Sequence, residues 1–226
     1  MDNLNLDDFG GASVYRWTHQ HMVEVLTKGS NPIVKNIYAK NAIKSILRED
    51  FVPEQFKAEA YEDKDIDLGF GEKMDKPTVI AQMLELMKPK LGGTYLDIGT
   101  GSGWMAALIA FASGATGIVY SIERIQFMAE AARTNLQKYP NISNVEVIFR
   151  DGAAGLPEKA PYDAIHASAA YDEIPAVLTN QLKIGGRLVA PTLEDDVRVV
   201  ERVSENEFKE TVHKGFYFKA LEEGVV

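Results

Sequence analysis

Cysteine is absent from the chain, and its absence removes several classes of chemistry at once. Without a thiol there is no disulfide, no cysteine-ligated zinc or iron–sulfur cluster, and no cysteine nucleophile. Histidine is scarce too, with four residues in all. These histidines form no HExxH motif, and no carboxylates cluster at ligand spacing, so the sequence predicts no metal site.

Positive charge is also in short supply. Lys and Arg number 24 against 33 Asp and Glu, which gives a formal net charge of −9 and an isoelectric point near 5.0. Such a surface repels a phosphate backbone. We therefore expect no nucleic-acid partner.

Long apolar runs and an export signal are missing as well. The longest apolar run covers residues 104–112, about half of the roughly 18 residues that cross a bilayer. The N-terminus, MDNLNLDDFGG, is acidic and lacks the basic and apolar regions of a signal peptide. We expect a cytoplasmic protein with no membrane partner.

The N-terminal part of the 226-residue chain differs in pattern from the rest. Residues 1–12 are polar and glycine-rich, and we predict that they are flexible. A helical pattern follows over residues 13–47 and is broken once, at residues 29–32. Pro32 suits the first turn of the second helix, since proline has no N–H to lose there.

From Thr94 onward, short apolar strands alternate with helices, which is typical of a parallel sheet covered on both faces. The predicted strands cover residues 94–98, 117–122, 145–149, 163–167, 187–191, 197–203 and 208–218, with helices over 104–113 and 125–139. The last two strands suggest an antiparallel hairpin at one edge. We predict a doubly wound α/β fold whose ligands bind at the carboxyl ends of the strands.

A glycine-rich loop follows the first of these strands, in the segment LDIGTGSGW. Gly99, Gly101 and Gly103 permit positive φ and close approach of a ligand to the backbone, and the next helix begins directly afterwards. Trp104 occupies the position of the last glycine in the dinucleotide fingerprint. The loop contains no Lys or Arg, which argues against a pyrophosphate group in the ligand.

Three successive strands end in a carboxylate. Asp97 is placed to accept a hydrogen bond from a ligand amine or from water. Glu123, twenty residues after Gly103, is placed to bind both hydroxyls of a ribose. Asp151, followed by Gly152, suits the exocyclic amine of an adenine. Each could be a helix cap or a solvated charge alone, but together with the glycines they favour an adenosyl ligand.

These segments resemble the cofactor motifs of class I S-adenosylmethionine-dependent methyltransferases. Further segments narrow the resemblance to the protein-L-isoaspartate (D-aspartate) O-methyltransferases, from about residue 22 to residue 221. The segments that carry it are LDIGTGSGW (96–104), YSIER (120–124), RDG (150–152), REDFVPEQF (48–56), AYEDKDIDLGFG (60–71), IGTGSGWMAALIA (98–110), YDAIHASAAYDEIP (162–175) and QLKIGGRLVAP (181–191).

The resemblance implies a fold, a cofactor and a reaction. The fold is a Rossmann-like, seven-stranded, mostly parallel sheet with a reversed final hairpin, under an N-terminal helical lid. The cofactor is S-adenosyl-L-methionine, with S-adenosyl-L-homocysteine as product. The reaction esterifies L-isoaspartyl and D-aspartyl residues of damaged proteins. The ester then collapses to a succinimide, which reopens partly as normal aspartate.

The same resemblance divides the chain and suggests its binding residues. Residues 1–12 form the flexible N-terminus, 13–90 the helical lid with an acceptor-site loop, and 91–226 the methyltransferase domain. The partner is a peptide or protein substrate, and the protein is expected to be a monomer. The expected cofactor-binding residues are Asp97, Gly99, Thr100, Gly101, Ser102, Gly103, Glu123, Arg124, Asp151 and Gly152.

The chain departs from the family in the loop before the cofactor domain. The family has GxGQTISxP where this sequence has GFGEKMDKP, residues 69–77. Glu72, Lys73, Met74 and Asp75 thus replace Gln, Thr, Ile and Ser, and Ser168 stands where the family often has Thr. Asp75, Lys73 and Ser168 are our candidates for catalytic residues.

Asp75 matters because the acceptor is itself a carboxylate. That anion needs no general base, only alignment with the methyl group and removal of water. An ionised Asp75 cannot donate a hydrogen bond, and it repels the acceptor by about 4 kcal/mol at 4 Å. Asp75 could be protonated, or neutralised by Lys73 or Lys76. It could also turn outward and cap the next helix.

Two other functions stay open. The acceptor could be a different one, such as an aspartate of a dedicated peptide, or an amine with Asp75 as base. The chain could also be a cofactor-binding adaptor without catalysis. His166 lies inside a predicted strand, and we interpret it as a core histidine.

Overall fold

The structure is a computed structural model that describes residues 17–226. Its main sheet has seven strands in the order β5-β4-β3-β6-β7-β8-β9. The first five in that order are parallel, and β8 and β9 add antiparallel strands at one edge. The predicted doubly wound sheet with a C-terminal hairpin is therefore confirmed. Its strands are β3 Thr94–Ile98, β4 Ile118–Glu123, β5 Val145–Phe149, β6 Tyr162–Ala167, β7 Leu182–Thr192, β8 Asp196–Arg202 and β9 Phe208–Lys214.

Helices cover both faces of this sheet. Five helices share one apolar cluster with one face, and a short sixth helix packs in the cluster on the other face. The helix that follows the glycine loop is buried nearly all round, so it forms the centre of the larger layer. The helices are α1 His19–Thr27, α2 Ile37–Ser45, α3 Pro77–Met87, α4 Trp104–Ser113, α5 Gln126–Leu136 and α6 Ala176–Thr179.

The second N-terminal helix begins later than the sequence predicts. Its cap is Asn36, whose Oδ1 accepts hydrogen bonds from the N–H groups of Tyr38 (2.9 Å) and Ala39 (3.0 Å). The prediction that Pro32 lies in the first turn is therefore wrong, because the capping side chain sets the start four residues further on. The predicted flexible segment, residues 1–12, lies outside the described residues.

A small hairpin, which the sequence analysis treated only as a loop, precedes α3. Strands β1 (Ile66–Gly69) and β2 (Glu72–Met74) pair antiparallel, and we call them the acceptor hairpin. Its turn consists of Gly69, Phe70 and Gly71, with φ of 85°, 57° and 74°. Phe70 is the unusual member, since a left-handed φ is rare for a side-chain-bearing residue.

Arg48 anchors this hairpin from below. The fully buried guanidinium donates to the carbonyls of Ala60 (2.6 Å), Lys64 (3.3 Å) and Asp75 (2.9 Å). Burial lowers the Arg48 pKa to about 10, so the group stays cationic at neutral pH. Arg48 comes from a 3₁₀ turn, Arg48–Phe51, that follows α2 and precedes a second one, Glu54–Glu59.

The helical lid over the substrate, predicted within residues 13–90, stays a prediction. Helices α1 and α2 contribute buried residues to the core beside α4, among them Met22, Leu26 and Ile43. No residue of α1 or α2 lines the pocket described below. The apolar side of α2 packs against α4, and that of α1 against α2 and α3. The part of residues 13–90 that covers the pocket is the acceptor hairpin.

Candidate active site

The principal pocket lies at the carboxyl ends of β3, β4 and β6, where an open α/β sheet binds its ligands. Together with its open mouth it encloses about 1010 Å³. The glycine loop and the strand ends form its floor, and the acceptor hairpin and the chain near the C-terminus cover it. Residues that line it include Leu68, Glu72, Lys73, Met74, Asp75, Gly99, Thr100, Gly101, Ser102, Trp104, Met105, Glu123, Arg124, Gly152, His166, Ser168, Lys219 and Glu222.

The glycine loop has the backbone that its sequence predicts. Gly99, Gly101 and Gly103 have φ of 90°, 56° and 92°. A Cβ on Gly99 would lie 1.9 Å from Ser168 Oγ, so no larger residue fits there. Gly101 faces the acceptor hairpin, where a Cβ would lie 3.6 Å from Leu68 Cδ1. The hairpin therefore passes directly over the loop.

Glu123 lies at the end of β4 and lines the pocket, as the ribose-binding prediction requires. Its Oε2 accepts from the N–H of Gly101 at 2.9 Å, and its Oε1 from that of Ile125 at 3.0 Å. Burial raises the pKa of Glu123, and these backbone donors partly offset the rise. The carboxylate is thus fixed by the loop that it closes.

Asp97 does not contact the pocket, contrary to the prediction that it accepts a hydrogen bond from a ligand. It is fully buried, and both carboxylate oxygens are engaged within the sheet. Ser121 Oγ donates to Oδ2 at 2.7 Å, and His166 Nδ1 is 2.8 Å from Oδ1. Asp97 lies inside β3 rather than after it, between Ser121 of β4 and His166 of β6, and these two neighbours occupy its carboxylate.

Asp151 is likewise engaged by the chain itself. Its Oδ1 accepts from the N–H of Ala153 at 2.9 Å and its Oδ2 from that of Gly224 at 2.6 Å. These backbone donors lower the pKa of Asp151. The neighbouring Gly152 lines the pocket, and a Cβ there would lie 2.6 Å from Ile98 Cγ2.

The C-terminal segment, residues 219–226, contributes to the pocket in a way that its sequence does not predict. Lys219 pairs with Glu72 of the acceptor hairpin and with Glu222, at 2.7 Å each. Arg124 binds Glu222 (2.9 Å) and the carbonyl of Gly224 (2.9 Å). The segment therefore joins the hairpin to the end of β4 across the pocket. Its polar, irregular sequence contains no motif that predicts this.

The structure places the Asp75 carboxylate in the pocket and excludes its role as a helix cap. Lys76 is the cap residue of α3 and makes no side-chain capping bond. Asp63 instead accepts from the N–H of Thr78 at 2.9 Å. Burial, together with the negative charge of Asp65, raises the pKa of Asp75 to about 6.

The other two catalytic candidates also line the pocket, each with a partner of its own. Lys73 Nζ is 2.5 Å from Asp65 Oδ2, so its ion pair is with Asp65 rather than Asp75. The charge of Lys73 nevertheless lowers the pKa of Asp75. Ser168 Oγ donates to the carbonyls of Ile98 and Gly99, at 3.1 Å each, and holds the glycine loop.

Trp104 is a further pocket residue whose polar atom has no partner. The indole is buried, and its Nε1 makes no hydrogen bond to any of residues 17–226. The Arg48 guanidinium lies 5.4 Å from the ring centroid. An unsatisfied indole N–H beside a pocket is a donor available to a ligand.

The sequence of this chain is similar to that of a known enzyme family over nearly its whole length. The sequence profile of the protein-L-isoaspartate (D-aspartate) O-methyltransferase family matches residues 17–223. The chain belongs to this family. Protein-L-isoaspartate O-methyltransferases of Staphylothermus marinus and Pyrococcus abyssi are 40% and 37% identical to it. The first alignment covers 78% of this chain and 82% of the relative, and the second 91% and 94%.

Solved structures agree on the fold. A Plasmodium falciparum chain, assigned to the protein-L-isoaspartate O-methyltransferases and in complex with S-adenosyl-L-homocysteine, superposes with a TM-score of 0.77 at 20% identity. It covers 90% of this chain and 98% of its own. A second protein-L-isoaspartate O-methyltransferase superposes with a TM-score of 0.75 at 26% sequence identity. The superposition covers 90% of this chain and 65% of the other.

The described part of this family member contains neither a membrane-crossing helix nor a metal cluster. None of the helices within residues 17–226 is long and apolar enough to cross a membrane. Nor do those residues bring three His, Asp or Glu side chains together as metal ligands.

The residues present fit the family's cofactor. Bound S-adenosylmethionine would approach the loop backbone at Gly99, and its ribose hydroxyls would donate to the Glu123 carboxylate, since both residues line the pocket. The unsatisfied Trp104 Nε1 supplies a donor inside the same pocket. No basic residue stands in the loop, in keeping with a cofactor that has no phosphate.

Proposed function

We propose that this chain is an S-adenosylmethionine-dependent carboxyl methyltransferase that esterifies the free carboxylate of L-isoaspartyl residues in damaged proteins, with D-aspartyl residues as a second substrate. Membership of the family over residues 17–223 carries the proposal. The pocket adds support, because it joins a glycine loop and Glu123 to an acceptor end with Asp75, Lys73 and Ser168.

The glycine loop and the end of β4 form the cofactor end of the pocket. Glu123, the backbone of residues 99–101 and Gly152 would hold the nucleoside, and Arg124 fixes the C-terminal segment beside it. Asp151 would contribute by holding the C-terminal segment through the N–H of Gly224, and Asp97 by orienting the imidazole of His166. When bound, S-adenosylmethionine supplies an electrophilic methyl group.

The chain's own contribution to the reaction is alignment and exclusion of water. The acceptor is already an anion at neutral pH, so no base is required. Leu68, Met74 and Trp104 give the pocket apolar walls that exclude water from the reacting oxygen. Holding the acceptor oxygen and the methyl donor in line between these walls accounts for much of the rate acceleration of a bimolecular transfer.

Asp75 places an acid where the acceptor must bind. Its pKa of about 6 makes a proton available just below neutral pH. When protonated, the carboxyl donates a hydrogen bond to the acceptor carboxylate, and when ionised it repels it. Of the alternatives considered for Asp75, protonation is the one that this placement supports.

A different acceptor is the second candidate function, and Asp75 is the observation that favours it. Its carboxylate makes no hydrogen bond to the described residues, so it is available to an amine as a base. In that case the family reaction would be lost while cofactor binding remained. A catalytically silent adaptor would bind the cofactor and transfer to neither acceptor.

The deciding experiment is transfer of labelled methyl from S-adenosylmethionine to two matched peptides, one with isoaspartate and one with aspartate. We expect label on the isoaspartyl peptide only, and its loss in mild base, because an ester is base-labile. Base-stable label would indicate an amine acceptor. No label, with cofactor binding confirmed by calorimetry, would indicate an adaptor.

The oligomeric state, the compartment and the absence of a nucleic-acid partner stay predictions. We propose that the protein acts as a monomer, in the cytoplasm and without nucleic acid. Size-exclusion chromatography with light scattering at micromolar concentration tests the first of these.

A further inference from the structure

A row of buried polar side chains crosses the centre of the sheet. In the strand register, Ser121 of β4, Asp97 of β3 and His166 of β6 are direct neighbours. Their side chains are connected, at 2.7 Å from Ser121 Oγ to Asp97 Oδ2 and 2.8 Å from His166 Nδ1 to Asp97 Oδ1. Because the pairing fixes the register, the backbone itself holds the imidazole against Asp97.

This row ends at the pocket. The His166 side chain is 2% exposed and lines the acceptor end, near Ser168. Its Nε2 makes no hydrogen bond to any residue in the range 17–226. A buried polar network is costly unless its groups are satisfied. The Nε2 atom of His166 has no part in the alignment of the acceptor or in the exclusion of water proposed above.

Asp75 lines the same pocket from the acceptor hairpin. The charged groups around it are Asp65, Lys73, Arg48 and His166, and the last three lower its pKa. Lys73 is paired with Asp65, and Arg48 donates to backbone carbonyls, including that of Asp75 itself. Glu72 and Lys219, which also line the pocket, are paired with each other.

Among the described groups, His166 Nε2 has no hydrogen-bond partner, and the same holds for Arg48 Nε and for Trp104 Nε1. Of these three atoms, only His166 Nε2 belongs to a side chain that can take up or release a proton near neutral pH. We propose that His166, oriented by Asp97, is a positioning residue of the acceptor site that shares one proton with Asp75 when the acceptor carboxylate is bound. The inference rests on the proposed function, because it assumes an anionic acceptor.

One proton between the two groups has the same effect in either position. On Nε2 it leaves an imidazolium beside a carboxylate, and on Asp75 it leaves a neutral imidazole beside a carboxylic acid. The pair has no net charge in both forms, so the acceptor meets no repulsion. An acidic residue is thereby compatible with an anionic substrate.

A double-mutant cycle tests the proposal. His166→Asn keeps an amide nitrogen close to the position of Nδ1, so it retains the bond to Asp97 while it removes Nε2. In the parent we expect the KM for an isoaspartyl peptide to rise about tenfold at pH 7.5, the loss of one hydrogen bond to a charged group. The kcat and the dissociation constant of S-adenosylhomocysteine should change far less.

The matched background is Asp75→Ser, which removes the acid. There His166→Asn should raise the peptide KM less than about threefold, because no repulsion remains to be relieved. An equal rise of the peptide KM in both backgrounds would show that His166 acts independently of Asp75 and would overturn the proposal. A large loss of cofactor affinity or of melting temperature would assign His166 to the core and overturn it too. An unchanged KM in the parent would overturn it as well.

A readout without turnover separates this inference from the proposed function. The Asp75 carboxyl can be titrated by carbon-13 NMR in the parent and in His166→Asn. We expect the pKa of Asp75 to rise in the variant, since His166 lowers it in the parent. An unchanged Asp75 titration refutes the pairing even if the enzyme is active. If the Asp75 titration shifts but no methyl group is transferred to the isoaspartyl peptide, the pairing is supported and the proposed isoaspartyl acceptor is refuted.

Discussion

At the scale of single residues, the burial of Asp75 in the pocket costs the fold stability at neutral pH. Burial raises its pKa to about 6 in the folded chain, against about 3.9 for an unperturbed aspartate. The folded state therefore binds this proton more tightly than the unfolded state. The stability that the group contributes is present below the unfolded pKa and is lost as the pH rises to about 6.

Asp75→Asn should remove this pH dependence. The difference in free energy of unfolding, variant minus parent, should increase by about 1–2 kcal/mol between pH 4 and pH 7. This is less than the full shift implies, because Asp75 is partly exposed. Urea unfolding at both pH values measures it. Asp172→Asn, at an exposed position, is the control and should show no such increase.

Single residues also show what the sequence could and could not predict. The glycine loop and Glu123 were predictable, because strand, loop and helix are contiguous and their spacing determines where each residue lies. The contacts of Asp97 and His166 were not, since they depend on how β3 and β6 pair over 69 residues of sequence. Sequence alone contains no signal for that register.

At the scale of elements, two pieces of chain meet over the pocket. The acceptor hairpin and the C-terminal segment are joined by the ion pair of Glu72 and Lys219, whose side chains are 30% and 42% exposed. Each piece is also held from its own side: Arg48 donates to the carbonyl of Asp75 at the end of the hairpin, and Ala170, after β6, exchanges backbone hydrogen bonds of 2.8 Å with Lys219 and Leu221. The ion pair of Glu72 and Lys219 is the side-chain link between the two pieces, so we expect it to slow the opening of the pocket for cofactor exchange.

Glu72→Gln should loosen this contact without changing the fold. An ion pair of this exposure stabilises the closed arrangement by at most about 1 kcal/mol. We therefore expect S-adenosylhomocysteine to dissociate up to about fivefold faster from the variant. Stopped-flow fluorescence of Trp104 can follow it. Glu59→Gln breaks a pair of similar exposure, with Lys64, away from the pocket, and should leave the rate unchanged. Equal rates in Glu72→Gln and the parent would contradict the idea.

The elements themselves were predicted unevenly, and for physical reasons. The bounds of β3, β5 and α4 match the prediction, because their largely apolar sequences are bounded by turn residues such as Gly93, Gly103 and Gly114. Strand β7 is longer than predicted and begins at Leu182, since Gly185 and Gly186 interrupt its pattern. The acceptor hairpin was missed because its strands are short, charged and rich in glycine.

At the scale of the whole molecule, the pocket is assembled from distant parts of the chain. Residues 66–75, the strand ends of the sheet and residues 219–222 all line it. A ligand that contacts all three connects regions that no single helix or strand connects. Ligand binding should therefore stabilise the whole fold, by about 2.7 kcal/mol at a concentration of 100 times the dissociation constant.

Removal of residues 223–226 tests this connection. The deletion removes the bonds of Gly224 to Asp151 and Arg124, and those of Val226 to the backbone of Arg124 and Gln126. The removed residues are exposed, so the melting temperature without ligand should change little.

The affinity for S-adenosylhomocysteine should fall about three- to tenfold, because Asp151 and Arg124 lose the partners that hold the segment over the pocket. Calorimetry gives the affinity, and the ligand-induced rise in melting temperature should shrink with it. Glu223→Gln is the control, since it changes an exposed side chain of the same segment and keeps its backbone bonds. Tighter binding after the deletion would mean that Gly224 competes with the adenine for Asp151 instead of enclosing it.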